Sequence, residues 1–89
     1  MKEKFIELNL TKLKPQFNKV FVGGWHIEDA ELKLRIGDEL IAAPVAEVLT
    51  EEFSTTYILK ESVCPDALRL EFHQEYVELY EIDVFKDVE

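Results

Sequence analysis

The chain has 89 residues, 47% of them hydrophobic, and a formal net charge of −9. This composition is too apolar for a disordered chain and the length is too short for two cores, so one folded domain is predicted over residues 1–89. The single cysteine, Cys64, excludes an internal disulfide and favours the cytoplasm, and no stretch approaches the ~20 apolar residues of a membrane span.

The first strand is predicted over residues 4–10, where polar and apolar residues alternate. Residues 11–18 are predicted to form a solvated, proline-containing loop, and a short second strand follows at 19–22. The Gly23-Gly24 pair is expected to end that strand, because glycine adopts backbone angles that larger residues avoid.

The clearest strand and turn are predicted within residues 31–43. Charged and aliphatic residues alternate strictly from Glu31 to Ile36, and Gly37-Asp38 is a turn signal ahead of a further strand at 39–43. A helix capped by Asp29 is the alternative, but the alternation and the nearby glycine favour a strand.

Residues 44–53 leave two alternatives open. Apolar residues at helical spacing behind a proline fit one short helix, whereas the position between two strand-like runs fits a strand and a hairpin turn. Residues 54–60 are β-branched and aromatic and predict a strand, and residues 61–67 predict a loop.

The last strand-like run covers residues 68–85, and the parity of its apolar residues changes twice. A turn or kink at residues 73–75 and a bulge near Leu79-Tyr80 would restore one consistent buried face. The whole pattern predicts an all-β, mainly antiparallel fold. We expect a small barrel or strongly bent sheet of about six or seven strands, with at most one short helix.

The negative charge is concentrated in the second half of the chain. Residues 1–45 contain seven Lys/Arg and seven Asp/Glu, whereas residues 46–89 contain three and twelve. The C-terminal acids recur every two to four residues, with two tyrosines among them: Glu71, Glu75, Glu78, Glu81, Asp83, Asp87 and Glu89, with Tyr76 and Tyr80. A solubilising outer face is the simplest interpretation of such a run.

The functional hypothesis is a non-enzymatic acidic module that binds a basic protein surface through residues 68–89. The predicted contact residues are Glu71, Glu75, Tyr76, Glu78, Tyr80, Glu81 and Asp83. An alternative is an inhibitor whose carboxylates imitate nucleic acid and occupy the groove of a DNA- or RNA-binding protein. Direct binding to nucleic acid or to anionic membranes is disfavoured, because the acidic half repels phosphate.

Gly23-Gly24-Trp25-His26 suggests a third hypothesis, a small-ligand-binding barrel or enzyme. Paired glycines allow close backbone approach, and the indole and imidazole of Trp25 and His26 offer stacking and hydrogen bonding, with His73 as a further candidate. The simpler interpretation is a tight turn with Trp25 closing one end of the core.

Other chemistry finds little support in the sequence. His73 lies between Glu71 and Glu75, but side chains spaced along one strand converge poorly on a metal ion, so no metal or cofactor is predicted. Cys64 is expected to be a small buried filler, and no phosphate-binding or hydrolase motif occurs. Dimerisation through an edge strand is open, with no particular residue to support it.

Overall fold

Alternating apolar and polar residues produce eight strands in residues 4–27 and 29–86, the part of the chain that the computed structural model describes. They are β1 (Lys4–Asn9), β2 (Phe17–Trp25), β3 (Glu31–Ile36), β4 (Glu39–Ala42), β5 (Val45–Glu51), β6 (Ser54–Val63), β7 (Ala67–Phe72) and β8 (Glu78–Phe85). This part of the chain contains no helix, so none that could cross a membrane. The all-β prediction is confirmed.

The strands form two four-stranded sheets in which all neighbours are antiparallel. Sheet I has the order β1-β7-β3-β4, and sheet II has the order β5-β6-β2-β8. Each sheet ends in two edge strands, so the fold is an open sandwich. The expected small barrel or strongly bent sheet of about six or seven strands is therefore confirmed only in part, because the eight described strands form two sheets and do not close into a barrel.

The inward residues of the two sheets make one core. Its largest fully buried side chains are Phe17, Leu34, Leu68, Leu70, Val20 and Val22. Burying each large apolar side chain stabilises the fold by about 1.5–3 kcal/mol. The Tyr57 hydroxyl donates to the Ala30 carbonyl oxygen (3.3 Å), and burial raises the pKa of Tyr57 to about 12. The buried hydroxyl of Thr55 has no hydrogen-bond partner among the residues described.

Strand β2 is longer at both ends than the sequence predicts. It begins at Phe17, which was expected in a loop but is fully buried, and it continues through Gly23 and Gly24 to Trp25. Neither glycine has a positive φ. A Cβ on Gly24 would instead overlap the backbone oxygen of Glu78, so this glycine permits close packing of β2 against β8 and does not end the strand.

The ambiguous residues 44–53 contain strand β5 and the turn into β6, so the helix alternative is wrong. Antiparallel pairing with β6 provides backbone hydrogen bonds along one edge of β5 from Val45 to Glu51. The two predicted interruptions in the last run are confirmed. The chain leaves β7 after Phe72, and Tyr80 has no partner residue because Gly23 lies opposite Glu81 and Gly24 opposite Leu79.

Candidate functional site

The outer face of sheet II brings together three of the predicted contact acids. Strand register places Glu78 opposite Trp25, Glu81 opposite Gly23 and Asp83 opposite Phe21. Because side chains alternate between the faces of a strand, the neighbouring Ile82 and Val84 point into the core while these acids point outward. We call Glu78, Glu81 and Asp83 the β8 acids.

Two of the β8 acids lie close to each other. The Asp83 carboxylate raises the pKa of the Glu81 carboxyl through a side-chain hydrogen bond and charge repulsion. Such coupling requires the two carboxyl groups to converge, which two outward positions on one strand allow. Glu81 and Asp83 therefore concentrate negative charge on the outward side of β8.

The third β8 acid, Glu78, is bound by two tyrosine hydroxyls next to a group of aromatic rings. The Tyr76 hydroxyl donates to Glu78 Oε1 (3.0 Å), and the Tyr80 hydroxyl donates to Oε2 (2.8 Å). These bonds favour the neutral phenols and are the largest cause of the raised pKa of both tyrosines. The Trp25 ring lies 4.4 Å from the His26 ring and 5.8 Å from the Tyr76 ring, measured between centroids. We call Trp25, His26, Tyr76, Tyr80 and Glu78 the aromatic cluster.

Local backbone geometry explains how the cluster forms. The unpaired residue of the bulge is Tyr80, so its side chain and that of Glu78 reach the same side of β8. His26 has φ 62°, a left-handed conformation that histidine adopts more readily than most residues. This conformation takes the chain out of β2 directly after Trp25, at the point where the imidazole meets the indole.

Trp25 does not close one end of the core, which the simpler interpretation of the sequence expects. It stands on the outward side of β2 opposite Glu78 and is 43% exposed. Tyr76 and Tyr80 are 56% and 65% exposed. The two sets of residues that the sequence treats as separate hypotheses, Trp25 with His26 and the tyrosines with Glu78, are thus parts of one surface.

Glu71 does not belong to this surface, although the sequence places it among the predicted contact residues. It lies on the outer side of sheet I, is only 7% exposed, and forms ion pairs with Lys33 Nζ and Arg69 Nε, each at 2.8 Å. Its hydrogen bond to Lys33 is the largest cause of its lowered pKa. The same network includes Glu7, whose carboxylate lies 3.1 Å from the Arg35 guanidinium.

Another predicted contact acid, Glu75, lies outside the strands of sheet II. Glu75 is exposed in the connection before β8, and its backbone oxygen accepts a hydrogen bond from Lys4 Nζ. Asp87 and Glu89 lie outside the described residues. His73 Nε2 lies 3.4 Å from Glu31 Oε1, and the described chain contains no group of three residues that could hold a metal ion.

Cys64 is exposed, so its prediction as a buried filler is wrong. The residue follows the end of β6 in a short connection, where its thiol lies 3.3 Å from the Lys14 carbonyl oxygen. The side chain of the following Pro65 is the one that fills the interior at this position.

The sequence interpretation missed two further aromatic residues of the outer face. Phe21 lies opposite Asp83, and Phe85 lies opposite Lys19 at the end of β8. Their outward position could be predicted from the sequence, because both have the opposite parity to the core residues Val20 and Val84. They extend the aromatic area from the cluster along the β2–β8 pair.

Comparison with protein-family models, curated proteins and solved structures finds no match to this chain. The chemistry of the outer face can nevertheless be stated from its groups. Exposed aromatic rings beside carboxylates attract cations through both the ring faces and the negative charge.

Proposed function

We propose that the protein is a non-enzymatic binding module whose sheet II outer face docks onto a basic protein surface. The observation that supports this proposal is the gathering of Glu78, Glu81 and Asp83 on one face, beside exposed aromatic side chains. Carboxylates attract a cationic surface during encounter, and tyrosine and tryptophan then supply contact area.

The charge balance of the two outer faces favours sheet II over sheet I. Strand register and the alternation along each strand give the outward charged residues of sheet II as Glu47, Glu51, Glu78, Glu81 and Asp83, with Lys19 and Lys60. Those of sheet I are Glu7, Glu31 and Glu71, with Lys33, Arg35 and Arg69. Sheet I thus matches its acids with cations in a hydrogen-bonded network, whereas sheet II has an excess of acids.

The first experiment measures binding of a short amidated peptide of alternating serine and lysine, followed by chemical-shift changes of the labelled protein. We expect shifts on β2 and β8 and few on sheet I. Glu78→Lys, Glu81→Lys and Asp83→Lys together should weaken binding by about tenfold or more, and raising the salt to about 0.5 M should weaken the wild type as well.

A matched control distinguishes the effect of the outer face of sheet II on binding from the effect of the total charge. Glu39, Glu52 and Glu61 are exposed and lie outside β8. Reversing these three to lysine changes the net charge by the same amount and should leave most of the affinity. Equal losses in the two triple variants, or no binding by the wild type at low salt, would contradict the proposal.

Two alternatives receive less support. An internal ligand site using both histidines is disfavoured, because neither His26 nor His73 is buried. Imitation of a nucleic-acid backbone calls for an extended row of charges, whereas Glu71 of the predicted acidic run lies on sheet I and is paired with Lys33 and Arg69. For any partner protein that is identified, competition by DNA or RNA for the same surface would favour the mimic.

A further inference from the structure

We infer that the aromatic cluster is the place where one arginine side chain of the basic partner docks, its guanidinium lying on an exposed tyrosine ring and donating to Glu78. This inference rests on the proposed function and adds the identity of the central contact. It predicts a preference between two cationic side chains of equal charge, which attraction by the β8 acids alone would not produce.

Glu78 is held in place yet keeps the capacity to accept a guanidinium. Each of its two oxygens accepts one phenol hydrogen bond, from Tyr76 and from Tyr80. A carboxylate has about four lone-pair sites, so each oxygen retains one for a partner donor. The two tyrosines therefore orient the carboxylate without saturating it.

The ring geometry favours a planar guanidinium group over a methylated ammonium group. The Trp25 and Tyr76 rings meet at an interplanar angle of 82° with centroids 5.8 Å apart, which is an edge-to-face contact. Rings in such contact leave no gap that could enclose a methylated ammonium group between them. A planar guanidinium needs only one open ring face, and Tyr80 is 65% exposed beside Glu78.

The protein itself contains an arginine that lies on an aromatic ring and donates to a carboxylate, on the face opposite the aromatic cluster. On sheet I, the guanidinium of Arg69 lies 3.7 Å from the centroid of the Phe5 ring and donates to Glu71 Oε2 at 2.8 Å. An aromatic ring, an arginine and a carboxylate thus form one unit there. The aromatic cluster on sheet II presents the ring and the carboxylate, and the partner would supply the arginine.

The test uses three short amidated peptides of alternating serine and lysine whose central residue is arginine, lysine or trimethyllysine. We expect the arginine peptide to bind the wild type about two- to fivefold more tightly than the lysine peptide. Tyr80→Leu and Glu78→Gln should each remove that preference. Phe85→Leu, which changes an exposed aromatic residue of the same face outside the cluster, should retain it.

The outcomes separate this inference from the proposed function. Equal binding of the arginine and lysine peptides to the wild type would overturn the arginine contact and leave the acidic docking surface intact. Tightest binding of the trimethyllysine peptide would also overturn it, in favour of an aromatic cage. Failure of all three peptides to bind would reject the proposed function and this inference together. Since Tyr80 is exposed, its substitution leaves the core unchanged, and the amide spectrum of the variant checks the fold.

Discussion

Replacing Gly24 by alanine tests whether close packing of β2 against β8 holds the candidate site in place. The new methyl group would overlap the Glu78 backbone oxygen and lie 3.2 Å from both Leu79 Cα and Ile27 Cγ2. Backbone atoms cannot rotate away, so β8 must shift relative to β2. Overpacking of this kind costs about 1–3 kcal/mol, partly offset by about 0.4–1 kcal/mol from the stiffer unfolded chain.

Gly23→Ala is the matched control, one residue earlier in the same strand. The nearest atoms to a Cβ there are Phe21 Cε2 at 3.5 Å and Glu81 Cβ at 3.7 Å, which are ordinary contacts. We therefore expect Gly24→Ala to lower the free energy of unfolding by about 1–2 kcal/mol and Gly23→Ala to leave it unchanged or raise it slightly. Urea unfolding followed by circular dichroism measures both. Equal midpoints for the two variants would refute the close-packing argument.

Three further predictions concern single groups. Glu71→Gln should lower the free energy of unfolding by about 1–3 kcal/mol near neutral pH. Because Lys33 holds the pKa of Glu71 below 4.5, the stabilisation by Glu71 is lost as the pH falls through that lowered pKa. Identical acid unfolding curves for the wild type and the variant would contradict this prediction. Thr55→Val should stabilise the protein by about 1 kcal/mol in thermal or urea unfolding, since its buried hydroxyl has no partner among the described groups, and a loss of stability would show that it has one. Tyr76 and Tyr80 should both titrate above pH 10.0 when tyrosinate absorbance is followed, and stability should be lost as the pH rises through their raised pKa values. Glu78→Gln should return both pKa values towards 10.0. Unchanged tyrosine pKa values in this variant would show that Glu78 does not raise them.

Local patterns predicted the elements whose signals are contained within a few residues. The β3–β4 hairpin follows from strict alternation and the Gly37-Asp38 turn, where Gly37 has φ 61°. The bulge at Tyr80 follows from the parity change along β8, because a continuous strand cannot bury both sets of apolar residues. These features need no knowledge of which strands pair.

The errors arise where a distant partner decides the structure. The sequence around Gly24 predicts the end of a strand, because no neighbouring residue shows that Glu78 of β8 packs against this glycine. Glu71 shares its parity with Arg69, a signal present in the sequence, but its pairing with Lys33 depends on the register of β3 with β7. The approach of Trp25 to the tyrosines likewise depends on the β2–β8 pairing, so composition alone could not identify the cluster.

The aromatic cluster is built from two kinds of backbone, and this affects how it can respond to different ligands. Trp25 and Glu78 are paired residues of β2 and β8, and Tyr80 is the bulge residue between paired neighbours, whereas His26 and Tyr76 stand on the connections beside the strands. Groups on paired strands lose little conformational freedom when something binds, while groups on connections can adjust. Sequence variation around a bound side chain would thus be accommodated by movement of the imidazole and one phenol, around a carboxylate whose position stays constant.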